Sequence, residues 1–372
     1  MRKNAPSIII IILLIITGVI YNYHNIVFKK PQSVHKWRQS DCASITLNYY
    51  QGGMKFFQPE THNLTSDQGT TGKCATSEMP FLYYTIASLY KIFGYNDFIY
   101  RILNTLIFFL GLFYLFKLSN YLLKNTFWSA AIVIMFFSSP VLVYYANNYL
   151  TNSTALAISF IGWYHFIRYI SEKKKKLLIK SLLFFFLAAS LKITAFFSLF
   201  AIIGVFIFDN IPLLSEQNKE KNIKHPLLFI LGSVAAIGIV AGWATYAWYY
   251  NELHDCTYFS TTIFPIWNYD SEGISHILSK VRKLWLYQYY HVSMHALLTV
   301  AALFIAIFYK KNLRVLNLAL IFIFFEIVVF ILLQFMTFAD HDYYTIGMLI
   351  LPALIILSSI LLLKNRFPVI FN

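Results

Sequence analysis

Apolar runs long enough to cross a bilayer recur along this 372-residue chain. A run of about 20 apolar residues spans the hydrocarbon core as a helix, and repeated runs of that length commit a chain to a membrane bundle. The first, Ser7 to Phe28, follows Arg2 and Lys3 as in a signal sequence, but no small-residue cleavage site follows it, so an uncleaved first span is expected. Further spans are expected to start near Asp97, Phe127, Tyr149, Leu177, Leu191, Leu227, His291, Leu313 and Tyr343, about ten in all. Composition agrees: 58% of residues are hydrophobic and 12% charged, against about 25% charged in soluble domains. The roughly ten-residue alternation of a transmembrane barrel is missing. The fold class expected is an all-α polytopic membrane protein in one domain, residues 1–372.

Charge sets the orientation. With the N-terminus inside, 18 of the 30 Lys and Arg residues fall on the inner side, among them Lys173–Lys176. Short cytoplasmic loops carry such an excess. The acids fall mostly outside: Asp41, Glu60, Asp67, Glu78, Asp97, Glu252, Asp255, Asp270, Glu272, Asp340 and Asp342. An N-in, C-in topology follows, with a first outer loop at 29–96 and a second at 251–290. The net charge of +14 is explained by orientation and implies membrane lipids rather than nucleic acid as its partner. Three cysteines, Cys42, Cys74 and Cys256, all fall outside; one disulfide is possible in an oxidising compartment, with the pairing open. No internal repeat and no matched pair of broken helices marks a transporter.

Chemistry therefore belongs on the outer face. The first loop opens His35-Lys36-Trp37-Arg38-Gln39-Ser40-Asp41 and closes Ser77-Glu78-Met79-Pro80. Cys42–Tyr50 reads as an amphipathic helix that Ser40 or Asp41 would cap, and Glu78 precedes a second helix with Pro early in it. Pro80–Phe93 is too short to cross and reads as interfacial or re-entrant. As a plain reading both carboxylates are caps. As a site, Trp37 and Tyr84 would offer aromatic faces to a sugar and Arg38 a guanidinium fork to a phosphate.

The string Trp37-Arg38-Gln39-x-Asp41 after the first span resembles the GT-C membrane glycosyltransferases. Glu78-x-Pro80-x-x-Tyr83-Tyr84 leading to Phe93-Gly94, and the late His341-Asp342-Tyr343-Tyr344 before Pro352, add to the likeness. The nearer branch is family-39-like and includes protein O-mannosyltransferases and the lipid A aminoarabinose transferase. The resemblance covers the first 125 residues best, then the topology and the late motif. It implies a polyprenyl-phosphate sugar donor, a lipid, glycan or protein acceptor, inversion at the anomeric carbon, and a loop aspartate, by position Asp41, as general base. It also implies a bacterial-type inner membrane with the site facing outside. Such enzymes often place an acid near Glu78 and a cation near the turn that holds Lys192. Metal dependence varies among them; Glu78 and His341 are the metal candidates, with His62 and Asp67 as further donors, and a divalent metal stays an open possibility.

Other polar residues weigh both ways. Lys192, between two apolar runs, would either snorkel to the surface or clamp a lipid phosphate. His341 and Tyr344 flank the last span as possible phosphate or substrate contacts. Asn147 sits in a short outer turn and its amide suits sugar hydroxyls; Arg101 is either an anchor or a phosphate ligand. Glu326 is expected as a protonated carboxyl bonded to a neighbouring helix, and Gly238-x-x-x-Gly242 as a packing motif. A transporter or flippase would need ionisable residues through the bilayer, where little beyond Glu326 is found. A non-catalytic assembly protein would not need Asp41.

Overall fold

The computed structural model describes residues 5–211, 221–259 and 262–371. Arg2, Lys3 and Lys219, counted above on the inner side, lie outside the described residues. Among the described residues the chain is helical, with three isolated backbone bridges and no sheet.

The apolar runs become α1 (Ala5–Ile20), α4 (Asp97–Leu123), α5 (Thr126–Phe137), α7 (Asn152–Glu172), α8 (Lys175–Leu191), α9 (Phe196–Asn210), α10 (Pro226–Leu253), α12 (Val292–Ile307), α13 (Arg314–Leu333) and α14 (Ile350–Arg366). Two helices come from the first long loop, α2 (Lys36–Gln51) and α3 (Phe81–Phe93). The short α6 (Pro140–Ala146) follows α5, and α11 (Ser271–Tyr289) comes from the second long loop. A helix thus lies at each expected position, and this is an integral membrane protein.

Length and apolarity qualify fewer of them as crossings than the ten expected. Five segments pass, and seven if two bent pairs each count as one: α5 with α6, bent by 84°, and α11 with α12, bent by 86°. The shortfall has a physical cause. Helix α1 has only 16 residues, and at about 1.5 Å per residue it is shorter than the hydrocarbon core. Helix α7 is not among the qualifying segments, because its apolar face is interrupted by Asn152, Ser153, Thr154 and His165, all buried.

Helix α7 is the centre of the bundle. Gly111 of α4 lets its backbone approach: a Cβ there would lie 2.4 Å from the Ala157 Cα of α7. Gly162 does the same for Phe185 of α8. By contrast, Gly238 and Gly242 face open space, so the expected GxxxG packing is not made; α10 is peripheral, with 28% of its apolar window buried. Glu326 likewise departs from expectation: its Oε2 is buried and meets no partner among the described residues.

Both long loops lie at one end of the bundle. There Cys74 and Cys256 form a disulfide, Asn251 pairs with both backbone groups of Ala75 (2.7 and 2.9 Å), and Asp67 meets His254 at 3.0 Å. The two loops are one structure. Closing a 182-residue loop constrains the unfolded chain, which typically contributes about 2–4 kcal/mol. Reductant should therefore lower the melting temperature of the wild type and leave a Cys74→Ala/Cys256→Ala variant unmoved. Burial pushes the Cys42 thiol up to about 11, so it stays a thiol. An equal response of both proteins would show that the clasp contributes nothing.

Candidate functional site

The carboxylates do not cap helices. Helix α2 begins at Lys36, with His35 as its N-cap in the left-handed region (φ 52°), so Asp41 sits in its second turn instead of at its start. Pro80 is the N-cap of α3, and Glu78 lies two residues before it. Met79 N–H donates to Ser190 O (2.8 Å), and Trp243 Nε1 donates to Thr76 O and Glu78 O (3.1 and 3.0 Å). These bonds press the 74–79 strap against the end of α8 and the side of α10 and aim Glu78 inward.

Glu78 is 6% exposed and bridges two cations. Lys192 Nζ donates to its Oε1 (2.5 Å) and Arg38 Nη2 to its Oε2 (2.9 Å), with Tyr83 Oη at 3.4 Å. Burial raises the Glu78 carboxyl, but Lys192 and Arg38 outweigh it and hold it below its ordinary range. A buried charge is tolerated only when paired in this way. Lys192 is thus neither snorkelling nor exposed; it is 6% exposed, and its Nζ also lies 4.8 Å from the Tyr344 ring centre.

Arg38 links this pair to Asp41. Its Nη1 lies 3.9 Å from Asp41 Oδ2, too far for a hydrogen bond, and is buried without a hydrogen-bond partner. The guanidinium sits 5.1 Å from the Phe259 ring centre. Asp41 accepts from Tyr258 Oη at 3.1 Å on both oxygens. Burial raises the Asp41 carboxyl above its ordinary range; Arg38 and the Tyr258 hydroxyl partly offset this. The result is an ionisable carboxylate beside a buried cation with a donor to spare.

From Tyr344 the contacts continue outward. His341 packs at a tilt on Tyr344 (5.8 Å) and on the half-exposed Trp37 (5.8 Å). Burial, then the neighbouring His35, lowers the His341 pKa, which favours the neutral ring. Behind it, Asp342 Oδ1 is held by His35 Nε2 (2.9 Å) and Tyr145 Oη (2.6 Å). Asp41, Arg38, Glu78, Lys192, Tyr344, His341 and Trp37 therefore form one continuous chain of contacts at the loop-bearing end.

Three expected substrate contacts lie elsewhere. Tyr84 donates to Met54 O (3.1 Å) and packs on Tyr49 and Phe56; its neighbour Tyr83, about 100° round the helix, is the one that meets Glu78. Arg101 is 2% exposed and spends its donors on backbone carbonyls of Lys29, Lys30 and Asn147, which makes it a staple rather than a phosphate ligand. Asn147 lines a separate cavity with it. Tyr258 and Phe259 were not singled out from the sequence, and Tyr83 entered only as part of the Glu78–Tyr84 motif. The signal that would have found Tyr258 is the Cys74–Cys256 pairing, which ties its segment to the Glu78 strap.

The donor set does not fit a metal ion. Both Glu78 oxygens are held by cations, His341 meets the Tyr344 ring, and Asp67 pairs with His254 while His62 joins neither. Among the described residues no group of three or more His, Cys, Asp or Glu side chains is placed to hold one.

The fold is similar to solved structures of ArnT from Cupriavidus metallidurans. The form bound to undecaprenyl phosphate matches with a TM-score of 0.59 at 12% identity, and the apo form with 0.58 at 12%. Each match covers 94% of this chain, and the chain spans 59% of the length of that protein. No protein-family model matches the chain, and neither does any curated protein sequence. The architecture is that of the GT-C membrane bundle which the Trp37–Asp41 and Glu78–Tyr84 segments resemble.

Proposed function

We propose that this protein is an inverting glycosyltransferase that moves a sugar from a polyprenyl-phosphate donor to a lipid, glycan or protein acceptor. Asp41 takes the proton of the acceptor hydroxyl as its oxygen bonds to the anomeric carbon. The bond from that carbon to the phosphate oxygen breaks, and its electron pair leaves on the polyprenyl phosphate. The leaving group gains negative charge in the transition state, and preplaced cations in a water-poor site stabilise it most. Arg38 and Lys192 supply them. The observation that carries this reading is the unpartnered, buried Arg38 Nη1 next to Asp41, a donor waiting for an anionic oxygen beside the base. A neutral His341 and Trp37 at the mouth suit a sugar ring rather than the phosphate.

The orientation proposed is N-in and C-in, in a bacterial-type inner membrane, with the site outside. The disulfide between the two long loops supports it, since such bonds persist in oxidising compartments. The direct test is release of polyprenyl phosphate from a panel of labelled polyprenyl-phosphate sugars by purified protein in liposomes. Release that needs both a hydroxyl acceptor and Asp41 supports the proposal; no release with any donor and acceptor in the panel counts against it.

Tyr258 gives a second test. Its hydroxyl donates to the charged carboxylate and so holds the Asp41 pKa down. Only ionised Asp41 accepts a proton, so activity rises with pH through its titration. Tyr258→Phe should therefore move the acid limb of the kcat profile to higher pH. A limb that stays put, or moves to lower pH, would mean that Asp41 does not set it.

A further inference from the structure

A cavity of about 440 Å³ opens at the end of the bundle opposite the long loops, where α4 ends beside the starts of α1 and α5. Its lining includes Ser7, Lys117, Asn120, Tyr121, Lys124 and Thr126. Lys117, Asn120, Tyr121 and Lys124 recur at i, i+3, i+4 and i+7, which places them on one face of α4 and its C-cap.

A lysine that only anchors a helix end extends its ammonium outward to headgroups and water. These two do the reverse. Lys117 Nζ lies 4.8 Å from the Tyr114 ring centre and 5.7 Å from that of Phe113, residues one turn back toward the middle of the bundle. It also lies 4.7 Å from the ring centre of Tyr164 of α7. Lys124 Nζ folds back to 4.5 Å from the Tyr121 ring centre. Aromatic faces steady each ammonium, and neither makes an ion pair or hydrogen bond among the described residues. Two described carboxylates of that end are engaged elsewhere: Glu172 by Arg168 (2.6 Å) and Lys174 (2.8 Å), Asp209 by Asn222 (2.8 Å). Nor are the lysines sealed off: Lys117 is partly buried and Lys124 is exposed.

Two positive charges on one cavity without a counter-charge call for an anion. The Asn120 amide and the Thr126 hydroxyl, which bond no protein group among the described residues, add neutral donors. Beside Ser7, the side chains of Ile8, Ile11, Ile12 and Ile15 form one face of α1 and are 46–57% exposed, a stripe that acyl chains can cover. A free phosphate would use the cavity alone, whereas a phospholipid uses both surfaces.

We propose that this cavity binds the phosphate of an anionic phospholipid, which Lys117 and Lys124 neutralise while its acyl chains lie along the isoleucines of α1. The site is at the opposite end of the bundle from Asp41, and the proposal does not rest on the transferase reading.

The test uses the full chain in phosphatidylcholine nanodiscs doped with a trace of phosphatidylglycerol that carries a diazirine on one acyl chain. Phosphatidylcholine with the same photoactivatable chain is the control. Phosphatidylglycerol should label residues 5–12 and 117–126 five-fold or more above the control. That ratio should exceed the one at the 173–176 lysine run, which reports the general pull of a basic surface on an anionic lipid. Lys117→Met and Lys124→Met should each bring the ratio down to that of the lysine run, and Lys117→Arg should keep it. Lys124 is exposed, so its substitution leaves the fold intact. Glycerol 3-phosphate at equal molar concentration should leave the labelling unchanged. Displacement by it would assign the cavity to a free phosphate ester and overturn the lipid reading. Equal labelling by the two lipids, or equal ratios at the cavity and the lysine run, overturns the proposal on wild-type protein alone. An undiminished ratio in the Lys124→Met variant overturns it as well.

Discussion

Asp41→Asn is expected to lower the rate of sugar transfer by about 10²–10⁴, the usual contribution of a positioned general base. The substitution keeps the shape of the side chain and an oxygen that accepts from Tyr258, so α2 and its packing should be undisturbed. The loss should therefore fall on kcat, with the melting temperature near that of wild type. The measurement is polyprenyl phosphate released per minute at saturating donor and acceptor. Equal rates in the two proteins would remove Asp41 from the chemistry and move the role of base to another residue. A fall in both rate and melting temperature would point to packing instead.

Glu78→Gln is expected to have the largest effect on stability. It leaves Arg38 and Lys192 buried side by side without the charge that neutralises them. Removing one partner of a buried ion pair typically costs about 3–5 kcal/mol. Because the like charges then face each other, adding Lys192→Met to Glu78→Gln should recover part of that loss. Unfolding in nanodiscs, followed through the melting temperature of the two variants, measures both steps. A Glu78→Gln protein as stable as wild type would mean that the three-residue bridge is not formed. The recovery by Lys192→Met separates repulsion from loss of shape, since it removes a second side chain and still stabilises.

The apolar runs announced the helices and their order, because periodicity and length are local properties of the sequence. The site was legible only as a set of residue types. Asp41 and Glu78 stood out, yet their surroundings were misread as caps. The true start of α2 is His35, a residue with no capping signature, held in the left-handed region where its ring reaches Asp342. Glu78 finds Lys192 across 114 residues and Asp41 finds Tyr258 across 217, separations that no local pattern encodes. Tyr84 was preferred to Tyr83 because an i, i+1 pair looks alike until the buried face of α3 is known. Arg101 shows the opposite case: a conspicuous cation whose donors turn out to go to backbone carbonyls.

The buried polar residues of α7 bear on how the protein is made. Thr154 donates to Asn104 of α4 (2.9 Å), Ser198 of α9 accepts from Trp163 (3.0 Å), and Asn152 donates to the Tyr343 carbonyl just before α14 (3.0 Å). The first partner leaves the ribosome before α7, the second shortly after, and the third only 191 residues beyond Asn152. Until the segment at Tyr343 emerges, the Asn152 amide has no native acceptor and the centre of the bundle is incomplete. Biogenesis must therefore keep a half-built intermediate sheltered from lipid while most of the remaining helices are delivered. Chains stalled before Asp342 would be the natural substrates of membrane quality control.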